Sequence, residues 1–144
     1  MQILSSGPDV VARLYLATQK YPEQWGGSRS IKKCISWWNN SIRESLKYQD
    51  DPNHLFATYE QLLTNPEKVL ETICNFMEID YQKTMTEDFH NRAGSLTKEA
   101  EEWKQRNVKQ SLSKSNKLQQ HFDDETIAYI KKNVLNIDLA QFHH

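Results

Sequence analysis

An α/β fold, predominantly helical with about two short parallel strands, is what this sequence predicts. Short β-prone stretches at Gln2 to Leu4 and Leu55 to Thr58 are each joined to long segments whose apolar residues recur at three-and-four spacing. The second stretch follows a helix and is almost continuously apolar, the pattern of a buried parallel strand. At 144 residues the chain is about one domain long, so residues 1–144 are read as a single domain.

The first strand, Gln2 to Leu4, runs through Ser5, Ser6 and Gly7 into a helix from about Pro8 to Lys20, with Val11, Leu14, Tyr15 and Thr18 on one face. Pro8 at the first helical position surrenders only an N–H that has no intrahelical partner, and Asp9 favours the positive end of the helix dipole. Such a start either caps a packed helix or holds an anion, although its loop carries neither Arg nor Lys. Pro22 and the Gly26-Gly27 pair then break regular structure, and Ser28 or Ser30 is available as the next N-cap.

From Ser30 to about Gln49, Ile31, Cys34, Ile35, Trp38, Ile42 and Leu46 trace one helix face. Trp37 widens that stripe, and burial is the expectation for the Trp pair. The stretch "DDPNH" ends the helix, and the strand that follows closes at Tyr59. Asn65 and Pro66 start a further helix whose buried stripe is Val69, Leu70, Ile73, Phe76 and Met77. A short helix is expected from Tyr81 to Phe89, and a last one from Asp124 to Val134, capped by Asp123 and packing Ile127, Ile130 and Val134.

A net charge of −1 gives no global basic field, which argues against nucleic acid as a partner. No apolar run reaches membrane-spanning length and no charged-then-apolar leader opens the chain, so no membrane contact and a cytoplasmic location are expected. Cys34 and Cys74 lack CxxC spacing and read as reduced core thiols, with no metal site implied. The one local charge bias of weight falls between Lys104 and Leu118, where Lys104, Arg106, Lys109, Lys114 and Lys117 stand without an acid. That run reads as a solvated loop or as a strap over a phosphate-bearing ligand. Of the histidines, His54, His90, His121, His143 and His144, none falls in a constellation fit for catalysis or metal binding.

The stretch "YEQLLTNPEKVLETICNFMEID" carries a resemblance. Tyr59-Glu60-x-Leu62, then an Asn65-Pro66 helix start ending in Phe76-Met77-x-Ile79, is similar to the sulfotransferase family, whose members transfer a sulfuryl group from 3′-phosphoadenosine 5′-phosphosulfate to an alcohol, phenol or amine on a P-loop-like α/β fold. Many members carry an upstream turn, Arg-Asp-Gly-x-Asp-Val-Val-x-Ser-Leu, that binds the nucleotide's 3′-phosphate. "SSGPDVVARL" aligns with it without gaps, so the resemblance implies a nucleotide role for Ser5, Ser6, Gly7 and Arg13. Ser5 stands where the family has its phosphate-binding Arg, and Arg13 where it has Ser. Losing a guanidinium there removes roughly 1.5–3 kcal/mol of charge-assisted contact. The resemblance further implies that Tyr59 lies against the adenine and that Trp103, Lys104 and Arg106 belong to a segment folding back across the nucleotide.

No catalytic residue is identified. In the family a Gly-rich 5′-phosphosulfate loop and a base lie upstream of this turn, and nothing in the chain matches the loop. The expectation is therefore a partial sulfotransferase-like domain, the C-terminal portion of the fold, inactive by itself. Its expected partners are an N-terminal sulfotransferase half, or a second copy joined through exposed strand edges. The alternative is a helical protein-interaction module in which the turn only caps a helix.

Overall fold

The computed structural model of the chain describes residues 1–87 and 116–136. The described residues fall in two compact units, one holding residues 1–58 and 116–136, the other residues 59–87. The described residues are mostly helical with two short parallel strands, as the hydrophobic pattern predicts.

In the first unit, β1 (Gln2–Leu4) leads into α1 (Gly7–Lys20), followed by α2 (Ile31–Leu46) and β2 (Phe56–Thr58), with α6 (Lys117–His121) and α7 (Asp124–Asn133) completing it. The strands pair in parallel, Gln2 opposite Phe56, Ile3 opposite Ala57 and Leu4 opposite Thr58. Gln2 N–H donates to the Leu55 carbonyl at 2.8 Å, extending the ladder by one residue. All three residues of β2 are buried, which explains its unalternating composition.

Helix α1 begins one residue earlier than the proline predicts. Ser6 is the cap residue, and its carbonyl accepts from Val10 N–H at 3.0 Å, while its side chain makes no capping bond. After Tyr21 the connector turns on itself through Gly27 N–H to the Pro22 carbonyl at 2.7 Å. Gly26 and Gly27 sit at φ of 67° and 104°, a region other residues rarely enter, so the pair supplies the turn. Ser30 rather than Ser28 caps α2, accepting from Lys33 N–H at 3.2 Å.

The core of this unit joins Leu4, Val11, Ala12, Cys34, Ile35, Trp38, Ile42, Phe56, Leu118, Ile130 and Val134. Tyr15 and Phe122 close one side, their ring centroids 5.5 Å apart. Truncating a buried Ile such as Ile42 or Ile130 to Ala leaves a cavity worth about 2–5 kcal/mol. Two expectations fail here. Trp37 does not join the buried stripe: it is 49% exposed against 9% for Trp38, because a step of about 100° along α2 carries it past the edge of the apolar face. Helix α2 also stops at Leu46, and the residues to Gln49 form 3-apart turns instead. Helix α7 is capped as predicted, with the Asp123 carboxylate accepting from Thr126 N–H at 2.8 Å. Helix α6 was not foreseen; it packs Leu118 into the core.

In the second unit the described elements are α3 (Tyr59–Thr64), α4 (Pro66–Phe76) and α5 (Thr84–Glu87). Tyr59 is not the last residue of a strand but the first of α3, since the helical bonds that follow recruit it. Asn65 and Pro66 start α4, and Ile73 and Cys74 are its buried residues. Met77 is 53% exposed and lies outside the stripe, because the helix ends before it. Glu78 takes φ of 56°, Ile79 N–H reaches the Cys74 carbonyl at 3.0 Å, and Glu78 N–H reaches the Asn75 carbonyl at 3.2 Å. This is a Schellman ending with Glu where Gly is usual. Cys74 Sγ lies 3.8 Å from Met85 Sδ, joining α5 to α4. Helix α5 is shorter than the predicted 81–89 span, whose last two residues lie outside the described ones.

A phosphate-type turn and the side chains that brace it

The parallel pair ends with Leu4 beside Thr58, and β1 passes directly through Ser5 and Ser6 into the first turn of α1. In open α/β sheets ligands collect beyond the carboxyl ends of strands, where helix N-termini present unpaired N–H groups. Ser5 and Ser6 are half-buried, Gly7 is buried, and Arg13 is exposed on α1.

Gly7 is explained by packing. A Cβ placed there would lie 2.5 Å from Val134 Cγ1, 2.6 Å from Trp38 Nε1 and 2.8 Å from Trp38 Cε2. Those neighbours are themselves held. Trp38 Nε1 donates to the Leu135 carbonyl at 3.4 Å, Asn39 Nδ2 donates to the Asn133 carbonyl at 2.9 Å, and Leu135 N–H donates to Asn39 Oδ1 at 2.8 Å. The adjacent pair Trp38-Asn39 thus fastens the end of α7 to α2, and the fastened segment presses on the start of α1. The sequence pattern gave no sign of this clamp, since its partners lie more than ninety positions apart.

A second cluster surrounds Arg29. Its backbone N–H donates to Thr18 Oγ1 at 3.3 Å and its carbonyl accepts from Gln19 Nε2 at 2.9 Å. Its guanidinium donates from Nη2 to the Trp25 carbonyl at 2.7 Å and lies 4.2 Å from the centre of the Trp37 ring. Nη1 is buried without a hydrogen-bond partner. Burial pushes the Cys34 thiol above its ordinary range, with the Arg29 charge opposing that rise. The thiol is therefore protonated and unreactive at neutral pH.

Of the residues that the family resemblance singles out, Ser5, Ser6 and Gly7 lie at the start of α1 in the first unit, and Arg13 lies nearly two turns along the same helix. Tyr59 opens α3 in the second unit, and Trp103, Lys104 and Arg106 lie outside the described residues. His54 is wedged between Tyr48, stacked at 5.4 Å, and Phe56 at 4.6 Å, at the amino end of β2 and away from the turn. Among the described residues no group of three or more His, Cys, Asp and Glu side chains is placed to hold a metal ion, and no helix is long and apolar enough to cross a membrane.

Comparison with known families finds a match over residues 17–136 to the one described as the sulfotransferase domain. The match begins inside α1, so the turn from Ser5 to Pro8 precedes it. No curated protein and no solved structure matches the chain.

Proposed function

The chain belongs to the sulfotransferase family, and we propose that it supplies the 3′-phosphate and adenine side of a site for 3′-phosphoadenosine 5′-phosphosulfate on the C-terminal portion of a P-loop-like fold. The observation that supports this most is the passage from β1 through Ser5 and Ser6 into α1, at the carboxyl end of a parallel strand pair. The donor set fits a phosphate through neutral groups: two serine hydroxyls and backbone N–H groups at the positive end of a helix of 14 residues. Pro8 contributes no N–H, and Ser5 contributes no charge where the family has a guanidinium. The affinity expected is accordingly weak.

The nucleotide, when bound, supplies the sulfuryl group for transfer to an alcohol, phenol or amine. This chain's own part is to hold it. By the family resemblance, Ser5, Ser6 and the first turn of α1 are assigned to the 3′-phosphate, Tyr59 to the adenine, and Trp103, Lys104 and Arg106 to nucleotide contact. Arg13 adds charge when its side chain curls back along α1 toward the N-terminus, the direction in which helix side chains lean. Stabilising charge on the transferred group and taking a proton from the acceptor need further groups that these residues do not provide. Transfer therefore requires a complementing sulfotransferase segment, and the chain alone is inactive.

Calorimetric titration with 3′-phosphoadenosine 5′-phosphate tests the reading. Micromolar or weaker binding that falls in Arg13→Ala and in Tyr59→Ala is the expected result. A folded sample with no heat of binding would reduce the turn to a helix cap and favour the helical interaction module instead.

A further inference from the structure

Between Lys20 and Arg43 the chain carries Lys20, Arg29, Lys32, Lys33 and Arg43 against the single acid Glu23, within a protein whose net charge is −1. This stretch is thus locally basic within a chain of slightly negative net charge, as is the run from Lys104 to Lys117. The same stretch holds three large exposed aromatic side chains, Tyr21 at 41%, Trp25 at 42% and Trp37 at 49%.

Lys20, Tyr21, Trp25, Arg29 and Trp37 are linked to one another in the first unit. Trp25 N–H donates to the Tyr21 carbonyl at 3.2 Å, and Lys20 Nζ lies 5.1 Å from the centre of the Tyr21 ring. Arg29 ties the Trp25 carbonyl to the Trp37 ring, and Thr18 and Gln19 pin its backbone to α1. Lys33 lies one helical turn before Trp37 and shares its face of α2. These exposed indole and phenol rings have no role in the core, which buries Trp38.

We propose that this aromatic and basic face docks on an anionic lipid surface. Trp and Tyr rings favour the boundary between water and acyl chains, and Lys and Arg beside them are drawn to acidic headgroups. Protein interfaces differ, being enriched in aromatics and Arg but depleted in Lys, whereas here Lys20 and Lys33 accompany the rings. Single-stranded nucleic acid stacks its bases on open ring faces. On Tyr21 and on Trp37 one face is already occupied by a cation of this chain. A peripheral contact of this kind needs no membrane-spanning helix, so it is independent of the absence of one among the described residues.

Flotation of the full chain with phosphatidylcholine vesicles, with and without phosphatidylserine, at about 0.15 M salt decides the matter. The chain floats with the phosphatidylserine vesicles only, and its tryptophan emission moves to the blue. Neutralising Lys20 and Lys33 together to Gln weakens binding about fivefold for each charge. Trp25→Ala with Trp37→Ala abolishes the blue shift while far-ultraviolet circular dichroism stays unchanged, as befits exposed residues. Failure to float, or flotation indifferent to all four substitutions, overturns the proposal. So does tighter binding to polyglutamate or to a single-stranded oligonucleotide than to the acidic vesicles.

Discussion

Gly7→Ala separates two explanations for one residue. If the glycine serves close packing, adding a single carbon is harmful before any ligand is present. The new Cβ meets Val134 Cγ1 at 2.5 Å and two atoms of the Trp38 indole at 2.6 and 2.8 Å, each about 1 Å inside ordinary contact. Neither neighbour yields easily. Trp38 is bonded to the Leu135 carbonyl, and Val134 N–H is bonded to the Ile130 carbonyl at 2.9 Å. Overpacking of this kind costs about 1–3 kcal/mol, and replacing Gly in a helix returns at most about 0.5–1 kcal/mol. The net loss is about 1–2 kcal/mol, which lowers Tm by roughly 3–8 °C in a chain of this size. Thermal melting followed in the near-ultraviolet, where the tryptophans report, measures it. In a Trp38→Ala background two of the three close atoms are gone, so the same substitution costs less, with a coupling of about 0.5–3 kcal/mol. A Gly7→Ala protein that melts at or above the parent temperature would refute the packing account. If it also lost nucleotide affinity, the glycine would be assigned to the ligand.

Three further outcomes are expected. Asn39→Ala removes the partner of the exposed Asn133 carbonyl and the half-buried Leu135 N–H and destabilises by about 0.5–1.5 kcal/mol in urea, whereas Asn39→Asp, which still accepts from Leu135, loses less. Glu78→Gly relieves a left-handed residue and stabilises by about 0.5–1 kcal/mol, after the added freedom of the unfolded chain is counted against it. The Asp123 carboxyl is held below the ordinary carboxylate range by its bond to Thr126, so its contribution is present above about pH 4 and disappears as pH falls through the lowered folded-state value. Denaturation curves at descending pH should show the parent losing stability that Asp123→Asn does not lose.

Much of the fold is legible because burial leaves a period. Cys34, Ile35, Trp38 and Ile42 mark one face of α2, and the structure buries all four. Pro8, Ser30, Pro66 and Asp123 each announce a helix start through local chemistry, and each start is found within a residue. What a pattern of neighbours does not carry is the angle at which a stripe stops. Trp37 and Trp38 are chemically alike, and only the packing of α1 and α7 against α2 decides which is core. Tyr59 was misplaced for a related reason, because a β-prone residue at a junction takes the state of whichever element recruits its backbone. Gly7 illustrates the deeper limit. Its sequence context suggests an anion, while its actual constraint comes from Val134, at the far end of the chain. The basic character between Lys20 and Arg43 is harder to read, since its charges are spread across a connector and a helix instead of forming a run.

The central claim is that the turn after β1 is a phosphate site weakened by the loss of one guanidinium. The most direct measurement restores it: Ser5→Arg, titrated with 3′-phosphoadenosine 5′-phosphate and, separately, with adenosine 5′-phosphate. A site of this kind gains roughly ten- to a hundredfold in affinity for the first nucleotide and little for the second, which lacks the 3′-phosphate. An equal gain for both, or none for either in a folded protein, would contradict the claim.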